Sequence, residues 1–223
     1  AVGMSFDTPI ETINSIVLSA SSLLQVCKKI NKDIKIYNAG SGEMFGNCIV
    51  KADENTRFKP CSPYAVAKVA SYNLTKLYRE TYNMFACNGI MFNHDSYLRP
   101  EKFVTQKIVS TVKKIANGDN INLVLGNLSI QRDWGWSPEY VEIMWLMLQN
   151  DVPKDYIIAT GKSYSLQDFV QHTFEYFGLN WQDHVVSDKN LYRPNEIFHS
   201  KANPSLIKKD LNWEAKLKMP EVI

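Results

Sequence analysis

Asp33-Ile34-Lys35-Ile36-Tyr37-Asn38-Ala39-Gly40-Ser41-Gly42-Glu43-Met44-Phe45-Gly46 runs from an alternating apolar segment into three closely spaced glycines. Ile34 and Ile36 at alternate positions predict a strand with one buried face, spanning Asp33 to Ala39. Upstream, residues 9–31 carry a helical pattern that ends in Lys28-Lys29, the charge that suits a helix C-terminus. Downstream, Ser62 reads as an N-cap with Pro63 at the first helical position, opening a helix to about Asn83. Phe85 to Phe92 reads as the next strand, and Phe103 to Asn117 as the next helix, stopped by Gly118. Strands and helices that alternate through short connections predict a mainly parallel α/β sheet.

Beyond Ile121 the pattern is more mixed. A short strand (Ile121 to Leu125) is followed by Gln131-Arg132-Asp133-Trp134-Gly135, which reads as a loop. A helix opens at Ser137-Pro138, Tyr156 to Ala159 reads as a strand, and Ser165 with Asp168 predicts a capped helix to Phe177. Asn203-Pro204 caps a last short helix. This divides the chain into residues 1–120 and a smaller α/β lobe, 121–223, interleaved with the first. Trp134, Trp136 and Trp145 read as core.

The glycines at 40, 42 and 46 invite comparison with a dinucleotide-binding fingerprint, which needs a helix opening directly on the glycines to face a pyrophosphate. A polar stretch follows them instead. The better reading is a strand end that presents Ser41 and Glu43 into a cleft at the sheet's C-terminal edge, where open α/β sheets bind ligands. Tyr64 and Lys68, four apart, share one helix face. There the ammonium is expected to lower the phenol from its ordinary value of about 10 and make it a usable base. Tyr72 and Lys76 repeat the spacing and read as a solvated helix face.

Composition narrows the classes. Of 223 residues, 45% are hydrophobic and 22% charged, which is the balance of a globular protein with a real core. The net charge of +2 comes without a dense Lys/Arg block, which argues against nucleic acid. Apolar runs such as Ile143 to Leu148 are too short to span a bilayer. Cys27, Cys48, Cys61 and Cys87 are scattered, without a C-x-x-C pair, and the four histidines are equally dispersed. That pattern predicts reduced thiols, a cytoplasmic location and no metal site.

Taken together, several stretches are similar to the extended short-chain dehydrogenase/reductase family and, within it, to the GDP-mannose 4,6-dehydratases. They are Ala39 to Gly46, Ser62-Pro63-Tyr64-Ala65-Val66-Ala67-Lys68, Asn88 to Ser96, Phe103 to Ile108, Gly126-Asn127-Leu128, Arg132-Asp133-Trp134-Gly135, Met144 to Gln149, Ile158 to Gly161 and Tyr192-Arg193-Pro194-Asn195-Glu196. The resemblance implies a partial Rossmann-like parallel sheet with a C-terminal lobe that binds a nucleotide sugar. It implies NADP as cofactor, GDP-mannose as substrate and a homo-oligomer. In such enzymes the sugar's C4 loses hydride to NADP while a tyrosinate takes the hydroxyl proton. Tyr64 matches that base, and Lys68 the residue that lowers its pKa and holds the nicotinamide ribose. Oxidation at C4 acidifies C5–H, and Glu43 matches the carboxylate that removes that proton and expels the C6 hydroxyl as water. Ser41 stands where the family usually has Thr and keeps the hydroxyl. Hydride then returns to C6, giving GDP-4-keto-6-deoxy-mannose.

By the same resemblance His94 and Arg99 line the cofactor, whereas Asn93, Lys107, Arg132, Arg193 and Glu196 contact the GDP-sugar. Arginines suit a diphosphate because their planar fork binds oxygens in pairs. Read alone, His94 satisfies a neighbouring carbonyl, Arg132 pairs with Asp133, and Arg193 is a loop residue. After Ser96 the family has a proline and two arginines; Tyr97-Leu98-Arg99 keeps the second arginine. The family's opening Gly-rich strand–turn–helix has no counterpart in this sequence. Ala1 to Phe6 matches a segment inside the family's first domain, so about ninety residues are expected to precede it in a complete relative, at ~30 or more per βαβ unit. Two other readings stay open: a cofactor-less homologue acting as a binding or assembly subunit, and a nucleotide-sugar epimerase.

Overall fold

The structure, a computed structural model, describes residues 2–223. Its centre is a parallel sheet of strands β1 (Ile36–Ala39), β2 (Ala86–Met91) and β6 (Tyr156–Ile158) in the order β1-β2-β6. Register runs from Ile36 opposite Ala86 to Ala39 opposite Gly89, and from Gly89 opposite Tyr156 to Met91 opposite Ile158. Ile34, expected in the first strand, lies outside it and is exposed, whereas Ile36 is buried.

Alternation along each strand sends side chains to two different cores. On one face Ile36 and Ala86 pack with Leu24, Cys27 and Met84. These come from α1 (Pro9–Ile30) and from the end of α2 (Pro63–Tyr82), whose Leu74 and Tyr78 close the cluster. On the other face Cys87, Tyr156 and Ile158 meet Ile143 and Met147, with Tyr37 at the margin. A side chain such as Ile143, fully removed from water, contributes about 1.5–3 kcal/mol.

The remaining elements cover the central sheet or build the lobe, to which Asn93–Asp95 and Val104–Ala116 are added from before residue 121. Strands β3 (Asn93–Asp95), β5 (Gln131–Trp136) and β7 (Ser163–Ser165) form a second sheet. In it β3 runs parallel to β5, and β5 antiparallel to β7. Strands β4 (Leu123–Leu125) and β8 (Val185–Ser187) pair in parallel. The lobe's core collects Ile108 and Val112 from α3 (Val104–Ala116), Trp134, and Phe169 and Phe174 from α5 (Leu166–Tyr176). Between α3 and α5 lies α4 (Ser137–Gln149), which covers the central sheet. The chain closes with α6 (Ser205–Leu211), packed against β6, and α7 (Met219–Val222). The lobe residues 121–223 therefore return one strand to the central sheet.

Four expectations are corrected. The segment at 131–135 is a strand, not a loop: Arg132 and Asp133 are charged yet buried, which hides its pattern from hydropathy. Trp145 is 60% exposed on α4 rather than core. Tyr72 is half-buried, edge-on to Phe58 at 4.9 Å, so only Lys76 of that pair lies on the solvated face. Finally, Pro9–Ile30 is one 22-residue helix, long and apolar enough by length and composition to cross a membrane. Polar residues break it into short apolar runs in the sequence, so no single run exposes its length. Its middle turn, Asn14–Leu18, is π-helical, and the helix packs along α2.

Helix α2 is stitched firmly to the sheet. Ser62 Oγ accepts from the Ala65 N–H at 3.1 Å, with Pro63 in the first turn, as the sequence predicts. Ser71 donates to Asn38, and Asn38 donates to Asn88 on β2. Near the helix end Arg79 makes a two-pronged pair with Asp155 at 2.7 and 2.8 Å, and Asp155 also accepts from the Asn88 N–H. These ties fix the register of Tyr64 and Lys68 against the strand that ends at Ala39.

Candidate active site

Beyond β1 the chain makes a short 3-10 turn, Gly42–Phe45, in which Ser41 Oγ accepts the Glu43 N–H. No long helix opens on the glycines, which serve close packing instead. A Cβ on Gly42 would meet the Phe92 ring at 3.0 Å. Gly46 sits at φ +67°, and a Cβ there would stand 2.2 Å from the Lys59 carbonyl. Only glycine fits such a position without strain. The turn aims Glu43 toward α2 and the lobe, across a cavity of about 700 Å³.

One wall carries Ser41, Glu43, Tyr64 and Lys68; the floor carries Asn93 and His94 at the start of β3. Arg99, Arg132 and Arg193 complete it. Glu196 reaches it through Arg132, at 3.5 Å. Lys107 stands apart: its ammonium donates to the Val124 carbonyl at 2.7 Å, and it does not line this cavity. Lys102, also on the wall, escapes sequence reasoning, because a lone lysine in a loop carries no pattern.

The i, i+4 pair does not behave as its spacing predicts. Lys68 Nζ donates to the Ala39 carbonyl at 2.8 Å and lies 5.7 Å from the Tyr64 ring centre. Burial raises the Tyr64 phenol above its ordinary value; the Ser41 hydroxyl and then Arg99 act to lower it, with Glu43 opposing. The ammonium is turned toward the strand end and is not among the groups that move the phenol. Burial in turn lowers Lys68.

His94 Nδ1 bonds the Phe92 carbonyl at 2.8 Å, and its ring stacks on Tyr140 with centres 4.8 Å apart. Burial lowers its pKa, which favours the neutral imidazole. Arg99 lies over the Phe103 ring at 4.0 Å, and its Nε stands 2.9 Å from Asp95 Oδ1. That ion pair is misaligned as a hydrogen bond, so both atoms lack a hydrogen-bond partner. Arg132 donates to the Gln131 and Ile197 carbonyls, not to Asp133. Arg193 faces Glu43 at 3.7 Å rather than serving as a plain loop residue.

Asp133 has a separate task. Its Oδ1 accepts the Thr160 N–H at 2.9 Å, tying β5 to the end of β6. Burial pushes its carboxyl up to about 6, against the lowering effect of Thr160. A carboxyl raised on folding contributes stability that is complete below its unfolded value and lost as pH rises through the folded one. Between about pH 4 and about pH 6 the unfolding free energy should therefore fall by ~2 kcal/mol more in the unaltered protein than in Asp133→Asn. Denaturant curves on both proteins across that interval check this; parallel pH profiles would refute it.

The model of the family described as GDP-mannose 4,6 dehydratase matches residues 1–223. The chain belongs to the GDP-mannose 4,6-dehydratase family. GDP-mannose 4,6 dehydratase 1 of Arabidopsis thaliana is 43% identical over 226 residues, covering 100% of this chain and 63% of that protein. The Vibrio cholerae GDP-mannose 4,6-dehydratase is 34% identical over 252 residues, covering 100% of this chain and 68% of its own length. This member thus spans less than two thirds of the Arabidopsis relatives, at 63% and 61%.

Solved structures share its fold. RMD from Pseudomonas aeruginosa, complexed with NADPH, superposes with a TM-score of 0.89 at 18% identity, over 100% of this chain and 74% of that one. The dTDP-glucose 4,6-dehydratase of Bacillus anthracis, in complex with NAD, gives 0.83 at 20%, over 94% and 65%. The family member described here is accordingly an α/β protein with a Rossmann-like parallel sheet.

Proposed function

We propose that the protein dehydrates GDP-mannose to GDP-4-keto-6-deoxy-mannose with NADP as its resident cofactor. The observation that carries this reading is the juxtaposition of a phenol–ammonium pair (Tyr64, Lys68) and a carboxylate (Glu43) facing two guanidiniums across one cavity. Family membership supports the substrate, and the cofactors named for the fold neighbours support a nicotinamide dinucleotide.

The residues fit the nicotinamide-ribose part of such a group. Lys68 spends one of its three donors on Ala39, and Arg99, its Nε ion-paired with Asp95, lines the cavity. Lys68, His94 and Arg99 would hold the cofactor, which when bound supplies the transient removal and return of hydride. The chain's own residues do the rest. Tyr64, beside Ser41, takes the C4 hydroxyl proton. Glu43 takes the C5 proton, made acidic by the adjacent ketone, and the C6 hydroxyl leaves as water. Arg132, fixed by two carbonyls, and Arg193 receive the diphosphate; Asn93 and Glu196 frame the sugar. Lys107 belongs to this set only if it leaves Val124.

We further propose a homo-oligomer in the cytoplasm. Support for assembly comes from the apolar residues that α1 leaves exposed, among them Ile10, Leu18, Leu23, Val26 and Ile30. A solvent-open hollow of about 720 Å³ runs beside them along Asp7–Ser15. Four free cysteines suit a reducing compartment. Light scattering that returns the mass of a single chain would remove the oligomer.

Incubation with GDP-mannose and either NADP or NAD, followed by mass spectrometry, tests the reaction. The expected product has lost one water, with NADP the better cofactor. An isomer of unchanged mass would identify an epimerase, and binding without conversion a binding subunit.

A further inference from the structure

Two of the guanidiniums that line the cavity, Arg132 and Arg193, are not equivalent. Arg132 is buried and clamped: it donates to the Gln131 and Ile197 carbonyls at 2.9 and 2.7 Å and faces Glu196. Arg193 lies just past the short turn Lys189–Leu191, with a side chain 36% exposed. Among the described residues its partner is Glu43, at 3.7 Å from Nη1 to Oε1. That is ion-pair distance, longer than a hydrogen bond. One guanidinium is thus built in, and the other is held by charge alone.

Glu43 pairs with Arg193 at 3.7 Å and also acts on Arg132, which Glu196 contacts at 3.5 Å. A diphosphate brings more negative charge than one carboxylate, with oxygens spaced for the guanidinium fork. When it enters, Arg193 has a better partner than Glu43, and the contact it gives up is an ion pair at 3.7 Å.

We propose that Arg193 and Glu43 form an exchange pair that selects diphosphate-linked sugars. The guanidinium engages the carboxylate before substrate enters and gives it up when a substrate diphosphate takes its place. This rests on the reading of Glu43 as the base for C5–H. It makes Arg193 a specificity-determining residue twice over, since it holds the diphosphate and also frees the base only when a diphosphate is present. A hexose without that group would meet a carboxylate already engaged.

Calorimetric titration with GDP, which lacks the hexose, tests the exchange without turnover. Glu43→Gln keeps the side chain's shape and removes Arg193's competitor, so GDP should bind about fivefold more tightly, the scale of one partly exposed ion pair. Arg193→Met should weaken GDP about tenfold, and in that background Glu43→Gln should change affinity by less than about twofold. Guanosine, without phosphate, should bind all four proteins alike.

An unchanged GDP affinity in Glu43→Gln overturns the exchange pair. So does the same gain without Arg193, which would be general repulsion rather than exchange. Failure of the unaltered protein to bind GDP overturns the nucleotide-sugar reading as well.

Discussion

Tyr64→Phe is expected to lower GDP-mannose turnover by about 10²–10⁴-fold, the contribution of a positioned general base, while GDP-mannose affinity stays within about twofold. The aromatic ring remains, so the packing that places α2 against β1 survives; only the hydroxyl is removed. Its surroundings sharpen the expectation. Burial raises the phenol, and the Ser41 hydroxyl and Arg99 guanidinium are the groups that lower it. At neutral pH the basic form is therefore scarce, and the unaltered protein's kcat/KM should climb with pH toward the phenol's titration. The Tyr64→Phe variant has nothing to titrate there, and its residual rate should lack that limb. Turnover from mass spectrometry and affinity from calorimetry separate the two quantities. A loss of affinity equal to the loss of rate would move Tyr64 from chemistry to structure.

Where local rules act on short range, the sequence is a sufficient guide. Ser62 with Pro63 caps α2, and the Ser165–Asp168 box caps α5, because both depend on side chains reaching backbone N–H groups three residues away. The parallel sheet follows from alternation, and the cleft beyond β1 from the position of Ser41 and Glu43 at a strand end. Long-range electrostatics is not legible in the same way. Nothing local says that Arg132 and Asp133 turn inward, so β5 reads as a loop. Nothing in a four-residue spacing says that Lys68 reaches back 29 positions to the Ala39 carbonyl and leaves the phenol to Ser41. Likewise Arg193 and Glu43 lie 150 residues apart in the chain, and their pairing exists only once the lobe closes over the turn. Lys107 shows the same limit: the family pattern says nothing of the Val124 carbonyl to which the fold ties its ammonium.

The second large effect concerns Glu43, and it separates two halves of one reaction. Glu43→Gln should leave oxidation at C4 in place, because Tyr64, Lys68 and Ser41 are untouched and the Ser41 hydroxyl still receives the residue's backbone N–H. Elimination should fail, with product formation down by about 10²–10⁴-fold, since an amide cannot accept the C5 proton. The 4-ketone then accumulates. Quenching with borodeuteride should place deuterium at C4 and return a mixture of the mannose and talose forms of the GDP-sugar. In D₂O, the unaltered protein's product should carry deuterium at C5, where a proton must be restored after water has left. The variant's recovered sugar should carry none. Normal dehydration by Glu43→Gln would assign the C5 proton to another group, and Glu196, held against Arg132 in the same charge cluster, is the carboxylate to replace next.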